Sequence, residues 1–261
     1  WTLGMSAARI EEGPFDETQA NPKFGVQWQV TPQIAMRAAA FRTLKRALVA
    51  NQTIEPTTIA GFNQFFDDIN GTDAKRYGIG FDFHPANLVY LGLEASRRDL
   101  SVPFDDEFEE QDEELYRAYL YWAPLDVLSV SGELVYDCFK REDNPNLFRF
   151  APKKVDTFRA PLSLRYFSPS GIFASVTGTY IEQDLKPSDF STFEVTNDQF
   201  FLVDFALGYR FPRRLGAVSL QVFNLFDEEF LYQDESFRAN AQTQPRFIPQ
   251  RLVRASLTLS F

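Results

Sequence analysis

The densest group of side chains able to do chemistry is an acidic run: Asp105, Asp106, Glu107, Glu109, Glu110, Asp112, Glu113 and Glu114. Clustered carboxylates can ligate Ca²⁺ or draw a cationic ligand through their combined field. Asp105, Asp106, Glu109 and Asp112 are the candidate metal ligands. The run lacks the glycine-punctuated spacing of a calcium loop, so the main expectation is a solvated loop face with no metal. A second set of charges recurs at strand-like spacing: Arg37, Asp82, Glu94, Arg98, Arg117, Glu133, Arg165, Asp204, Arg210 and Arg254. Most alternate with apolar neighbours. That spacing predicts one shared inward face, where charges pair across strands or tune which solutes pass.

Catalysis has little to work with. The single histidine, His84, lies beside Pro85 in a predicted turn, and no motif selects two carboxylates for acid and base roles. Cys138 is the one cysteine, which excludes an intrachain disulfide and a thiolate zinc cluster, and it reads as a small hydrophobe. The glycines of Tyr77-Gly78-Ile79-Gly80 form no phosphate loop; in a strand they make room beside it or mark a bend. Neither an enzyme nor a cofactor is expected.

The elements that must position these charges are strands. The 261 residues include 28 Phe, 10 Tyr and 3 Trp, yet mean hydropathy is −0.26. No run approaches the roughly 18 to 20 apolar residues of a membrane helix, whereas a membrane barrel dilutes its hydropathy by alternating lipid-facing and lumen-facing residues. Twelve strands are predicted near residues 1–10, 23–31, 34–45, 74–83, 88–99, 114–122, 128–140, 155–167, 172–183, 199–211, 216–227 and 246–261. In the tenth, Phe201, Val203, Phe205, Leu207, Tyr209 and Phe211 point one way, against Asp204, Ala206, Gly208 and Arg210. The last ends Val253, Ala255, Leu257, Leu259, Phe261 on its apolar face. Net charge is −10, which argues against nucleic acid, since phosphate needs clustered Lys and Arg.

Connections alternate in length. Short turns fall at Thr31-Pro32-Gln33, His84-Pro85-Ala86-Asn87, Ala123-Pro124-Leu125-Asp126, Ser168-Pro169-Ser170-Gly171 and Pro212-Arg213-Arg214-Leu215. Longer polar segments near 11–22, 46–73, 100–113, 141–154, 184–198 and 228–245 lie between them. This alternation predicts an all-β, antiparallel up-and-down transmembrane barrel over 1–261, with short periplasmic turns and long extracellular loops. Trp28, Phe83, Tyr121, Trp122, Tyr166, Phe167, Tyr209 and Phe211 precede short turns, as an interfacial girdle would. The sequence opens inside an apparent strand, with Trp1, Leu3, Met5 and Ala7 alternating and no signal-peptide pattern. The expectation is the C-terminal part of a longer chain, set in the outer membrane of a Gram-negative bacterium.

Val218-Ser219-Leu220-Gln221-Val222-Phe223-Asn224-Leu225-Phe226-Asp227, then Phe230, Tyr232 and Pro245-Arg246 through Phe261, resembles the C-terminal end of TonB-dependent outer-membrane receptors. The strong part covers about the last 45 residues. The resemblance implies a channel for solute or ligand passage, driven by the TonB system through a plug absent from these residues. It also makes the Val253 to Phe261 ending an assembly signal for the barrel-assembly machinery. The departure is size, because such receptors have about 22 strands: either these residues are the C-terminal part of a larger barrel, or they form a smaller barrel that shares the ending, and the turn count allows both. A second resemblance, over Phe41 to Arg46, Gln52 to Thr57 and Ala60 to Asp68, is to barrels fused behind periplasmic tetratricopeptide repeats. It implies the alternative of an export or scaffold barrel. Outer-membrane lipid and lipopolysaccharide are the expected surroundings, with Arg42, Lys45 and Arg46 toward the rim where lipopolysaccharide phosphates lie.

Overall fold

Alternation of aromatic and β-branched residues with small or polar ones produces long paired strands in the computed structural model, which describes residues 1–12, 15–45, 58–63, 68–104, 107–142, 152–187, 197–233 and 250–259. In chain order the strands are β1 (Thr2–Glu12), β2 (Phe15–Thr31), β3 (Ile34–Leu44), β4 (Thr58–Ile59), β5 (Phe62–Asn63), β6 (Asp73–Ala86) and β7 (Val89–Phe104). They continue as β8 (Glu107–Leu125), β9 (Leu128–Arg141), β10 (Lys154–Phe167), β11 (Ile172–Lys186), β12 (Asn197–Arg210), β13 (Gly216–Phe223) and β14 (Leu252–Leu259). All but β4 and β5 form one 12-stranded antiparallel sheet in which every strand pairs with its neighbours in chain order. This is the up-and-down order of a barrel wall. Among the described residues β1 pairs only with β2 and β14 only with β13, so the sheet stands open at those edges.

Tight turns close one end. Pro32 and Gln33 join β2 to β3, and Asp126 and Val127 join β8 to β9. Gly171, at φ 99°, takes the left-handed position of the 168–171 turn, where a Cβ would meet the Arg210 carbonyl oxygen at 2.5 Å. Pro212–Arg214 forms a short 3-10 turn before β13.

The opposite end differs from expectation in three places. The segment 11–22 is paired strand, with Glu12 facing Phe15 in the β1–β2 ladder. Most of 100–113 is also strand, since β7 runs to Phe104 and β8 starts at Glu107. In the second of these polarity misled because the carboxylates are paired, Glu109 and Glu113 with Arg141 and Arg98 on one face and Asp112 with Arg97 on the other, so the strands continue without a wholly apolar side. The eleventh strand stops at Phe223 instead of Asp227, because Asn224 (φ 50°) and Asp227 (φ 60°) turn the chain left-handed. The Asn224 side chain locks that turn, accepting from the Glu228 amide at 2.9 Å and donating to its carbonyl at 2.8 Å. The last strand starts at Leu252. Phe261 lies outside the described residues.

The two faces of the sheet have opposite chemistry. Trp28, Ile79, Leu93, Leu134, Leu162, Phe205 and Leu257 are exposed on one, which a protein in water would bury. On the other, small apolar clusters form where connections fold back onto the sheet.

Candidate functional site: the charged face of the sheet

Ladder register fixes which residues share a face. Arg37 lies opposite Gly80, Gly80 opposite Glu94, Glu94 opposite Arg117 and Arg117 opposite Val135. Two-residue steps from this row place Asp82, Arg98, Glu133, Arg165, Asp204, Arg210 and Arg254 on the same side. The whole set picked out from sequence spacing therefore shares one face of the sheet.

Its centre is Arg37 on β3. The guanidinium donates to Asp82 Oδ2 at 2.8 Å and to Glu94 Oε2 at 3.2 Å, joining three strands. Asp82 also accepts from the Tyr119 hydroxyl, whose ring occupies space that a Cβ at Gly92 would fill. One strand further, Arg117 binds Glu133 through two nitrogens, at 3.1 and 2.8 Å. Tyr121 donates to Glu133 Oε1 at 2.5 Å and accepts from Arg117 at 3.1 Å. Tyr121 thus belongs to the charged network instead of the aromatic girdle. Its phase with Arg117 and Tyr119 carried that signal, while its closeness to a turn obscured it.

A second level lies toward the long connections. Arg98 bridges Asp68 at 2.6 Å and Glu113 at 2.7 Å, and Arg76 donates to the Asn63 carbonyl at 2.9 Å and to Ser96 Oγ at 3.1 Å. Above it, Arg141 meets Glu109 at 3.0 Å with both side chains almost fully buried.

Among the described residues the acidic run is accordingly no loop. From Glu107 onward it lies on β8, where successive carboxylates point to opposite faces. Glu109 and Glu113 reach Arg141 and Arg98 on the charged face, while Asp112 and Glu114 lie beside Arg97 on the other. Glu109 and Asp112 cannot converge on one ion. Asp105 and Asp106 lie outside the described residues, and no acidic, His or Cys cluster able to hold a metal occurs among the described ones. At the rim, Arg42 is held by Asp73 at 2.7 and 2.8 Å; Arg46 lies outside the described residues.

At the far end of the sheet, Arg254 donates to Gln221 at 3.0 Å and Asp204 accepts from the Asn224 amide at 2.9 Å. Beyond β13, Asp227 accepts from the Arg251 amide at 2.7 Å and its guanidinium at 3.1 Å. The amide and the nearby positive charge hold the Asp227 carboxyl below its usual range.

Two connections fold onto the charged face. The β4–β5 hairpin seats Ile59 and Phe62, each about 1% exposed, against Ala39 and Phe41. Residues after β13 return so that Phe230 stacks on Phe200 at 4.1 Å, and Gln233 exchanges hydrogen bonds with Gln183 at 2.8 and 3.1 Å. Sequence reading had placed both segments among the long loops. Phe62 and Asp68 figure in the sequence only within the Ala60 to Asp68 resemblance and not among the candidate site residues, because the folding-back of a connection leaves no periodic trace.

An up-and-down antiparallel sheet, apolar on one face and ion-paired on the other, has the architecture of a β-barrel wall, the fold of an outer-membrane receptor barrel. Among 16 matching solved chains is the ferric-catecholate import receptor Fiu from E. coli K12 in its closed form, with a TM-score of 0.57 and 17% identity. The match covers 92% of this chain and 35% of that receptor, so the chain spans about a third of its length. No protein-family model matches the sequence, and no curated protein does.

Proposed function

We propose that these residues are part of the wall of an outer-membrane transport barrel of the TonB-dependent-receptor type, through which a solute or ligand passes along the charged face. The observation that carries the reading is the division of one sheet into an exposed apolar face and a face crossed by arginine–carboxylate bridges. Lipid accepts the first without cost. The second requires water or paired partners, and a lumen supplies both. The likeness to an import receptor supports the same class, and the Asn224 to Asp227 turn followed by β14 fits the receptor-like ending. Energy coupling through TonB and insertion by the barrel-assembly machinery belong to this proposal. So does an orientation with short turns toward the periplasm and the charged strand extensions among lipopolysaccharide headgroups.

Single cysteines in a Cys138→Ser background of the full-length protein test it in isolated outer membranes. Ser175→Cys on the charged face is expected to react with a small water-soluble maleimide. Leu134→Cys on the apolar face should react only with a lipid-soluble one. A charged face closed to the water-soluble reagent would overturn the channel. Cross-linking to TonB in intact cells tests the coupling, and its absence would remove that element.

A further inference from the structure

We propose that the β4–β5 hairpin is a fixed constriction that selects solutes by size, so that the wall itself carries a filter. This rests on the transport reading above. Three observations support it. First, the hairpin occupies space that the sheet vacates. A Cβ at Gly25 would lie 2.8 Å from Ile59 Cγ2, and one at Gly78 would overlap the Phe62 ring. Small residues on β2 and β6 therefore make a seat for two large apolar side chains beside the Arg37 network.

Second, the hairpin is tethered at successive levels. The Arg37 guanidinium lies 5.3 Å from the Phe62 ring centre and fills the space beside Gly61; Arg76 holds the Asn63 carbonyl; Arg98 holds Asp68, just past the hairpin. The turn is tight and left-handed, with Ala60 at φ 49° and Gly61 at φ 87°. A segment buried and bound this way is a fixed obstacle, in contrast to a lid that swings.

Third, the charges around it among the described residues are paired or hydrogen-bonded. Arg37, Arg76 and Arg98 stand with Asp68, Asp82, Glu94 and Glu113, and the tip, Ala60-Gly61, is uncharged. Compensated charges leave little net field to sort ions. Excluded width is what remains.

The test uses the full-length protein in intact cells, again with Cys138→Ser. Ala35→Cys, on the charged face between Arg37 and the short turn, reports passage beyond the hairpin when sulfonated maleimides of increasing size are added outside. The small reagent should label it and the large one should not. Phe62→Ala, and replacement of residues 58–63 by a Gly-Ser linker, should raise the large reagent's rate at least tenfold at equal outer-membrane abundance. Gly25→Cys with Ala60→Cys brings two Cβ atoms to about 3.1 Å, near disulfide range, and since the new Cβ also crowds Ile59 Cγ2 the reduced form of the same variant is the reference. Oxidising that pair should leave the small reagent's rate at Ala35→Cys unchanged. Size dependence unaltered by both hairpin variants would overturn the constriction, and loss of small-reagent labelling in the locked protein would replace it with a moving gate. Failure of the small reagent to reach either Ala35→Cys or Ser175→Cys would instead overturn the channel.

Discussion

Arg141 and Glu109 show how burial sets the value of a charge pair. At 3.0 Å and with side-chain exposures of 1% and 0%, neither can be solvated if the other is lost. Glu109→Gln is therefore expected to cost roughly 3–5 kcal/mol, against less than about 1 kcal/mol for Asp112→Asn, whose partner Arg97 is half exposed. Urea unfolding in lipid vesicles measures both. Asp227 makes a different case. Its carboxyl is held below the ordinary range by the Arg251 amide, so the contact is present above the unfolded-state value and is lost as pH falls through the depressed one. The protection factor of the Arg251 amide, its exchange rate relative to the intrinsic rate at each pH, should fall in acid, and Asp227→Asn should remove that pH dependence. A protection factor that stays constant with pH in the native protein would show that the carboxylate does not hold β14's entry.

At the scale of elements, strand length and connection shape separate from polarity. β7 and β8 continue in register through Phe104 and Glu107 although the sequence there is acidic, because the carboxylates of β8 find arginine partners on both faces. The hairpin depends on glycines in strands that it does not belong to. Gly78→Leu is expected to expel Phe62, accelerating hydrogen exchange at the hairpin amides while the β6–β7 amides stay protected. Uniform acceleration across the sheet would instead mean that Gly78 serves the strand itself. The turn residues were legible beforehand: Pro32, Pro85, Pro124, Pro169 and Pro212 all lie at or beside the short connections. Their exact placement was not, since register slips between Phe83 and Ala86 and between Trp122 and Leu125 shift the reversal by a residue or two.

For the whole molecule, the division into faces makes a depth-dependent prediction. Phe205→Arg, on the apolar face, is expected to cost roughly 2–4 kcal/mol near the bilayer midplane, whereas Thr258→Arg on the charged face should be nearly neutral. Stability measured in vesicles decides it, and equal costs would reverse the assignment of faces. The sheet's two open edges belong to this scale also. A strand edge in hydrocarbon leaves amides and carbonyls unsatisfied, so any membrane-embedded form must pair β1 and β14, with each other or with further strands.

The sequence by itself determined the order of the twelve sheet strands and the face that most of their residues take, because period-two alternation is local and a proline lies at or beside every short turn; strand ends and the β4–β5 hairpin were not legible. It placed Arg37, Asp82, Glu94, Arg117 and Glu133 together for that reason. Only the tertiary structure decided who pairs with whom. Whether Arg98 meets Glu113 or a neighbour depends on inter-strand register, and that is set jointly by turns, bulges and side-chain fit across the whole sheet. It likewise decided that Phe62 folds back into the seat left by Gly25 and Gly78. Those residues are far apart in sequence, and their contact is a matter of volume and tethering with no periodic pattern to announce it.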